Sequence, residues 1–179
     1  MRSNRNGMMI CLITSAVLGL APAEPASLPA LNAKVLEFAR SQRGRKVGEG
    51  SCTDLAVEAL RHAGARLDFA PAGDGDFVWG RRIDNPAHAL PGDLIQFRDA
   101  VFKGRKVYPS GAIRTWTYTY LHHTAIISRV SKGGKMMAVL HQNVSIKGRS
   151  DESIVREMTI NLAELQPGGK VWIYRPEEK

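Results

Sequence analysis

Hydrophobic residues along this chain change their period as it proceeds. Leu31, Val35 and Phe38 fall at i, i+4 and i+7, the spacing of one helical face, and Gly44 supplies a stop. Asn32 is placed to cap that helix. A second helical stretch begins at Ser51, where Ser51 and Asp54 have the spacing of a capping box, and runs through Leu55, Ala56, Ala59, Leu60 and Ala63 to Gly64. From Leu67 to Leu90 the residues are mostly Gly, Pro, Asp and Ala, the composition of a long loop, broken by the apolar patch Phe77-Val78-Trp79. After Pro91-Gly92 the pattern becomes that of strands: Asp93 to Arg98, Thr124 to Val130, Lys135 to His141, Ile154 to Ile160 and Val171 to Tyr174, with a short helix capped by Asn161 before the last. The alternation Trp116-Thr117-Tyr118-Thr119-Tyr120 favours a hairpin inserted between the first two of these strands. Helices gathered at the start and strands at the end predict an α+β domain with an antiparallel sheet.

The N-terminus changes the picture of where this domain works. Arg2 and Arg5 precede an apolar stretch from Met8 to Leu20, and Ala21-Pro22-Ala23 follows it, the pattern of a cleaved secretory signal. A membrane anchor needs about 20 apolar residues, more than this stretch offers. Residues 1–23 therefore read as a signal peptide, 24–30 as a linker and 31–176 as one domain, exported to the periplasm or beyond without a stable membrane span. Cleavage would remove Cys11 and leave Cys52 alone, so no intramolecular disulfide can form. Twenty-five Lys and Arg against 17 Asp and Glu give a formal net charge of +8. Such an excess favours anionic partners, whether wall polymer, polysaccharide, membrane surface or nucleic acid.

A lone thiol in an oxidising compartment is either buried and inert or chemically used. Cys52 falls in the first turn of the second helix, where exposed N–H groups and the positive end of the helix dipole favour a thiolate. Downstream, His122-His123 opens one strand and His141 closes the next, with Ser131-Lys132-Gly133-Gly134 between them. A three-residue loop, Lys132 to Gly134, would set Asn143 opposite His123 and His141 opposite Ala125, with His123, His141 and Asn143 on one face. A loop shifted by one would set His141 opposite His123. A four-residue loop changes the parity and turns Gln142 toward His123. Either three-residue reading supplies a base, His123, and a polar residue to hold its tautomer. His122 points to the other face and is the alternative base. Zinc on Cys52, His122 or His123, and His141 is the competing chemistry, but no CxxC, HxxxH or HExxH spacing supports it, so neither metal nor cofactor is expected.

Four segments, Gly50-Ser51-Cys52-Thr53-Asp54-Leu55-Ala56, Leu90-Pro91-Gly92-Asp93-Leu94-Ile95-Gln96-Phe97, His123-Thr124-Ala125-Ile126-Ile127 and His141-Gln142-Asn143, together resemble the CHAP and NlpC/P60 superfamily of papain-like cysteine peptidases and amidases. The resemblance implies a papain-like fold in which a helix bearing the nucleophile packs on an antiparallel sheet bearing the base. It implies Cys52 as nucleophile, His123 as base and His141 as its orienter, with Asn143 as the alternative orienter. It further implies an amide or peptide bond as target and a cell-wall peptide or polymer as substrate, with no nucleic acid expected. Trp116, Tyr118 and Tyr120, among Lys103, Arg105, Lys106 and Arg114, are candidate substrate-binding residues. A non-catalytic wall or polysaccharide module on the same fold is the alternative. The chain departs from the usual pattern in having Ser51 before the cysteine, Asp54 two after it, and a long segment from Arg98 to Leu121.

Overall fold

The computed structural model describes residues 27–67, 71–72, 76–145 and 152–179. The proposed signal peptide, Cys11 and the start of the linker lie outside the described residues, as do parts of the loops around 70 and 148. Helix α1 spans Ala30–Ser41 and α2 spans Cys52–Ala63. Strands β1 (Pro71–Ala72) and β2 (Asp76–Phe77) form a small antiparallel pair. Strands β3 (Arg81–Ile83), β4 (Leu94–Val107), β5 (Ile113–Val130), β6 (Met136–His141), β7 (Arg156–Asn161) and β8 (Lys170–Arg175) form an antiparallel sheet in the order β3-β8-β4-β5-β6-β7. The expected α+β, papain-like arrangement, N-terminal helices on an antiparallel sheet, is what the chain adopts.

Helix α2 begins and ends where its local chemistry dictates. Ser51 Oγ accepts from Asp54 N at 3.1 Å while Asp54 Oδ2 accepts from Ser51 N at 3.0 Å, and Gly64 closes the helix in the left-handed region. Helix α1 differs from expectation. Its N-cap is Pro29, without a side-chain cap. Asn32 lies inside the helix, fully buried, and donates to Pro91 O at 3.0 Å and to Asp93 Oδ1 at 2.7 Å. A tertiary partner took the amide that the local pattern assigned to a cap.

Both helices cover one sheet face, where Leu36, Leu55 and Leu60 meet Leu94, Ile126 and Leu140. Ile95, Phe97, Ile127, Val139 and Ile173 form a second core on the other face. The central strands are thus buried on both sides, which is why they read as continuous apolar runs. The insertion is a hairpin, as its alternation indicated: β4 and β5 pair from Leu94↔Ile126 out to Val107↔Ile113. Asp99, at φ 49°, kinks its inner strand. Phe97 before the kink and Ala100 and Phe102 after it therefore all enter the second core, despite their mixed parity.

The hairpin between β5 and β6 decides the histidine geometry, and it does so by a route the loop length alone does not reveal. Ser131 N donates to Met136 O, so the loop has four residues, 132 to 135, and Val130 pairs with Met137. That parity would part His123 from His141. A bulge at Ser128 then shifts the register by one, so that Ile127 pairs with Val139 and Ile126 with Leu140. Ser128 Oγ lies 3.1 Å from Ala138 O and 2.6 Å from Glu157 Oε1, which holds the bulge in place. The loop is longer than the three-residue expectation, and the bulge restores the same face relation.

Candidate functional site

The strand register places His123 and His141 side by side. His123 Nε2 is 3.1 Å from His141 Nδ1, with ring centroids 5.2 Å apart at 69°. Tyr120 stacks on His123 at 5.0 Å and 19°, and Phe97 lies 6.1 Å away at 27°. Burial depresses His123 to a pKa of about 4, aided by the neighbouring charge of His122, and depresses His141 to about 3, aided by His123. Both rings are neutral at pH 7, so one donates and the other accepts. His123 Nδ1 has no hydrogen bond among the described residues, and His141 Nε2 is buried there without a partner. The ring of His123 is therefore gripped at one nitrogen.

Because both folded pKa values lie below the unfolded value of about 6.5, the unfolded chain binds protons first on acidification. Stability is expected to be full above about pH 6.5 and to fall as pH drops toward 4, by on the order of 1 kcal/mol per pH unit for each ring. Urea midpoints measured between pH 7 and pH 4.5 check this. His141→Gln is expected to flatten the slope, and an unchanged slope would contradict the assignment.

The other predicted site residues are placed differently. Asn143 sits beyond the end of the β5–β6 ladder, exposed and at φ 58°, with no hydrogen bond to His123 among the described residues. The grip on His123 is His141. His122 faces away: its Nε2 is 3.3 Å from Asp76 Oδ1, and its ring lies parallel to Phe77 at 6.1 Å. Arg98 Nη2 holds the same Asp76 oxygen at 2.9 Å. Asp76 lay in a loop of Gly, Pro and Asp and had no sequence signal to single it out.

Cys52 is the first residue of α2 and is partly buried. Its sulfur lies 4.0 Å from Thr53 Oγ1, and among the described residues no hydrogen bond joins it to a histidine. The cysteine loop is held instead by Gln142, on the helix-covered face of the sheet, while His123 and His141 lie on the opposite face with Phe97 and Tyr120. The fully buried Gln142 amide donates to Val47 O at 2.9 Å and Ser51 O at 2.6 Å, while its Oε1 accepts from Val47 N at 3.1 Å. It clamps both ends of the loop that delivers Cys52 to the end of β6. Strand parity offers Gln142 only as a residue facing His123, and its hold on the cysteine loop carries no local sequence signal.

A cavity of about 480 Å³ opens beside His123, lined by the unbroken run 117–123 of β5, by 143–145 and by Met158. It contains Tyr118 and Tyr120 but not Cys52. Trp116 lies across Gly104, where a Cβ would sit 2.1 Å from its ring, and its Nε1 donates to Glu164 Oε2 at 2.9 Å. It walls a second cavity of about 250 Å³ with Lys106, Arg114 and Tyr118. Among the described residues no three His, Cys, Asp or Glu side chains are grouped to hold a metal ion, and no helix is long and apolar enough to cross a membrane.

Two N-terminal helices, the second opened by a cysteine, packed on one face of an antiparallel sheet define a cysteine proteinase-fold domain. Over residues 30–179 the chain matches the AIM3/BBC1 Cysteine proteinase-fold domain, and it belongs to that family. Neither the curated proteins nor the solved structures gave a match. The match agrees with the papain-like fold that the resemblance implied, without reaching as far as CHAP or NlpC/P60.

Proposed function

We propose that this protein is an exported thiol hydrolase of the CHAP and NlpC/P60 type, cleaving an amide or peptide bond in cell-wall peptide. The observation that carries the reading is Cys52 at the start of α2, the helix that covers the sheet face on which His122 Nε2 lies 3.3 Å from Asp76 Oδ1. His122 takes the Cys52 proton as sulfur attacks the carbonyl, with Asp76 orienting its ring. The oxyanion is held in part by the Cys52 backbone N–H at the helix start, and His122 returns the proton to the leaving amine. Water then hydrolyses the thioacyl intermediate with His122 again as base. The Arg2-to-Ala23 pattern supports export, and the formal charge of +8, or +6 once Arg2 and Arg5 leave with the signal (8 − 2), suits an anionic wall.

A second reading, a non-catalytic binding module, is favoured by one observation: Cys52 has no hydrogen bond to a histidine among the described residues. Alkylation separates the two. Iodoacetamide is expected to label Cys52 in the native protein and to abolish turnover of a panel of wall peptides. A thiol that labels only after denaturation, with no turnover of any panel member, would overturn the hydrolase and leave the module.

A further inference from the structure

We infer that the outer half of β5 is a docking edge for an acidic peptide in extended conformation, which joins the sheet as an added strand beside His123. Strand β5 pairs with β4 along its whole length, but among the described residues it meets β6 only from Ile126 onward. Among the described residues its outer part, 113–124, has one partnered edge and one free edge. In an antiparallel pair alternate residues bond the neighbour, so every second N–H and C=O of this stretch points to the free side.

The cavity lies along that edge. Side chains of a strand alternate between faces, so an opening over one face would be lined by every second residue. This one is lined by all of 117–123, which places it edge-on to the strand, with 143–145 and Met158 as the opposite wall. The strand residues there are Thr, Tyr, Leu and His without Pro or Gly, and Leu121 is 68% exposed. Exposed strand edges of such composition are the surfaces that accept an added strand.

Charge supplies the partner's chemistry. The second cavity shares Tyr118 with the first and continues the cleft to Lys106 and Arg114. Lys103, Arg105, Lys106 and Arg114 are all exposed, and none forms an ion pair among the described residues. Lys106 lies instead 5.0 Å over the Tyr108 ring. The one carboxylate in that wall, Glu164, is taken up by Trp116 Nε1 and Asn161 Nδ2. The unpaired cations fit acidic residues at the end of the peptide remote from His123. From Arg114 to His123 an extended chain covers about 30 Å.

Docking stands without catalysis; only the claim that the docked peptide is the substrate rests on the hydrolase reading. The test uses a fluorescein-labelled peptide of alternating Thr and Val ending in three Glu, followed by anisotropy with full-length Cys52→Ala protein. Saturable binding is expected, weakening as salt rises. Added hydrogen-exchange protection is expected at amides within 117–123. N-methylation of alternate peptide nitrogens on the edge-facing register, or Lys106→Glu with Arg114→Glu, is expected to weaken binding at least tenfold, with the circular dichroism of the variant unchanged. Equal binding of both N-methylated registers, no peptide binding, or capture of an anionic polysaccharide in place of the peptide would overturn the edge. Peptide docking by the wild-type chain without turnover would leave the edge standing and remove the claim that the docked peptide is the substrate; the hydrolase reading itself falls only if the wall-peptide panel is also not turned over.

Discussion

Replacing Asp93 with alanine is expected to destabilise the fold by about 3–5 kcal/mol, the usual consequence of removing one partner of a buried, hydrogen-bonded ion pair. Asp93 is fully buried, and Arg175 grips it through Nε to Oδ1 at 3.0 Å and Nη2 to Oδ2 at 2.9 Å. Leu90 N adds a bond to Oδ2 at 2.8 Å and Asn32 one to Oδ1 at 2.7 Å. One carboxylate thus joins α1, the turn before β4 and the end of β8. Gly92 beside it, at φ 87°, would place a Cβ 2.1 Å from Asn32 O, so the turn is built around that contact. Urea denaturation at pH 7 is the measurement. Asp93→Leu with Arg175→Met is expected to recover part of the loss, because no unpaired guanidinium remains. Equal loss in the single and double variants would move the cause from charge to packing.

The same carboxylate shows what sequence can and cannot convey. Pro91-Gly92-Asp93 was visible as a turn before a strand, but its partners Asn32 and Arg175 lie 61 and 82 residues away and carry no local signal. Helix α2 was legible from Ser51 to Gly64 because both caps are contacts within its own ends. Asn32 is the converse: a capping residue type near a helix start signals a cap locally, and a distant turn claims the side chain. The outer hairpin was legible in the Trp116-to-Tyr120 alternation, while the Asp99 kink that turns Phe102 inward was not. At the histidines, Gly133 and Gly134 signalled a tight loop, but the face relation also needed the Ser128 bulge, held by Glu157 from another strand. Asp76 and Gln142 escaped because one sits in a loop of unremarkable composition and the other acts through three backbone contacts to the cysteine loop.

Alanine at His122 is expected to suppress turnover as deeply as alanine at Cys52, by about 10³-fold or more, and the double variant is expected to be no worse than either single one. Nucleophile and base act as a unit, so losing either removes the shared step, and the remainder reflects binding and the oxyanion site. Asp76→Asn is expected to lower kcat with little change in KM, since it weakens the hold on His122 Nε2. His123→Ala is expected to leave turnover within a few-fold, because its imidazole is engaged with His141 on the face away from α2. The reverse result, a silent His122→Ala and an inactive His123→Ala, would transfer the base to His123 with His141 as its orienter. The assignment to His122 has a structural rationale: on the helix-covered face, the sheet position next to Cys52's loop belongs to Gln142, whose parity His122 shares. Measuring both single variants against the same peptide therefore decides which of two preassembled imidazole pairs serves the thiol.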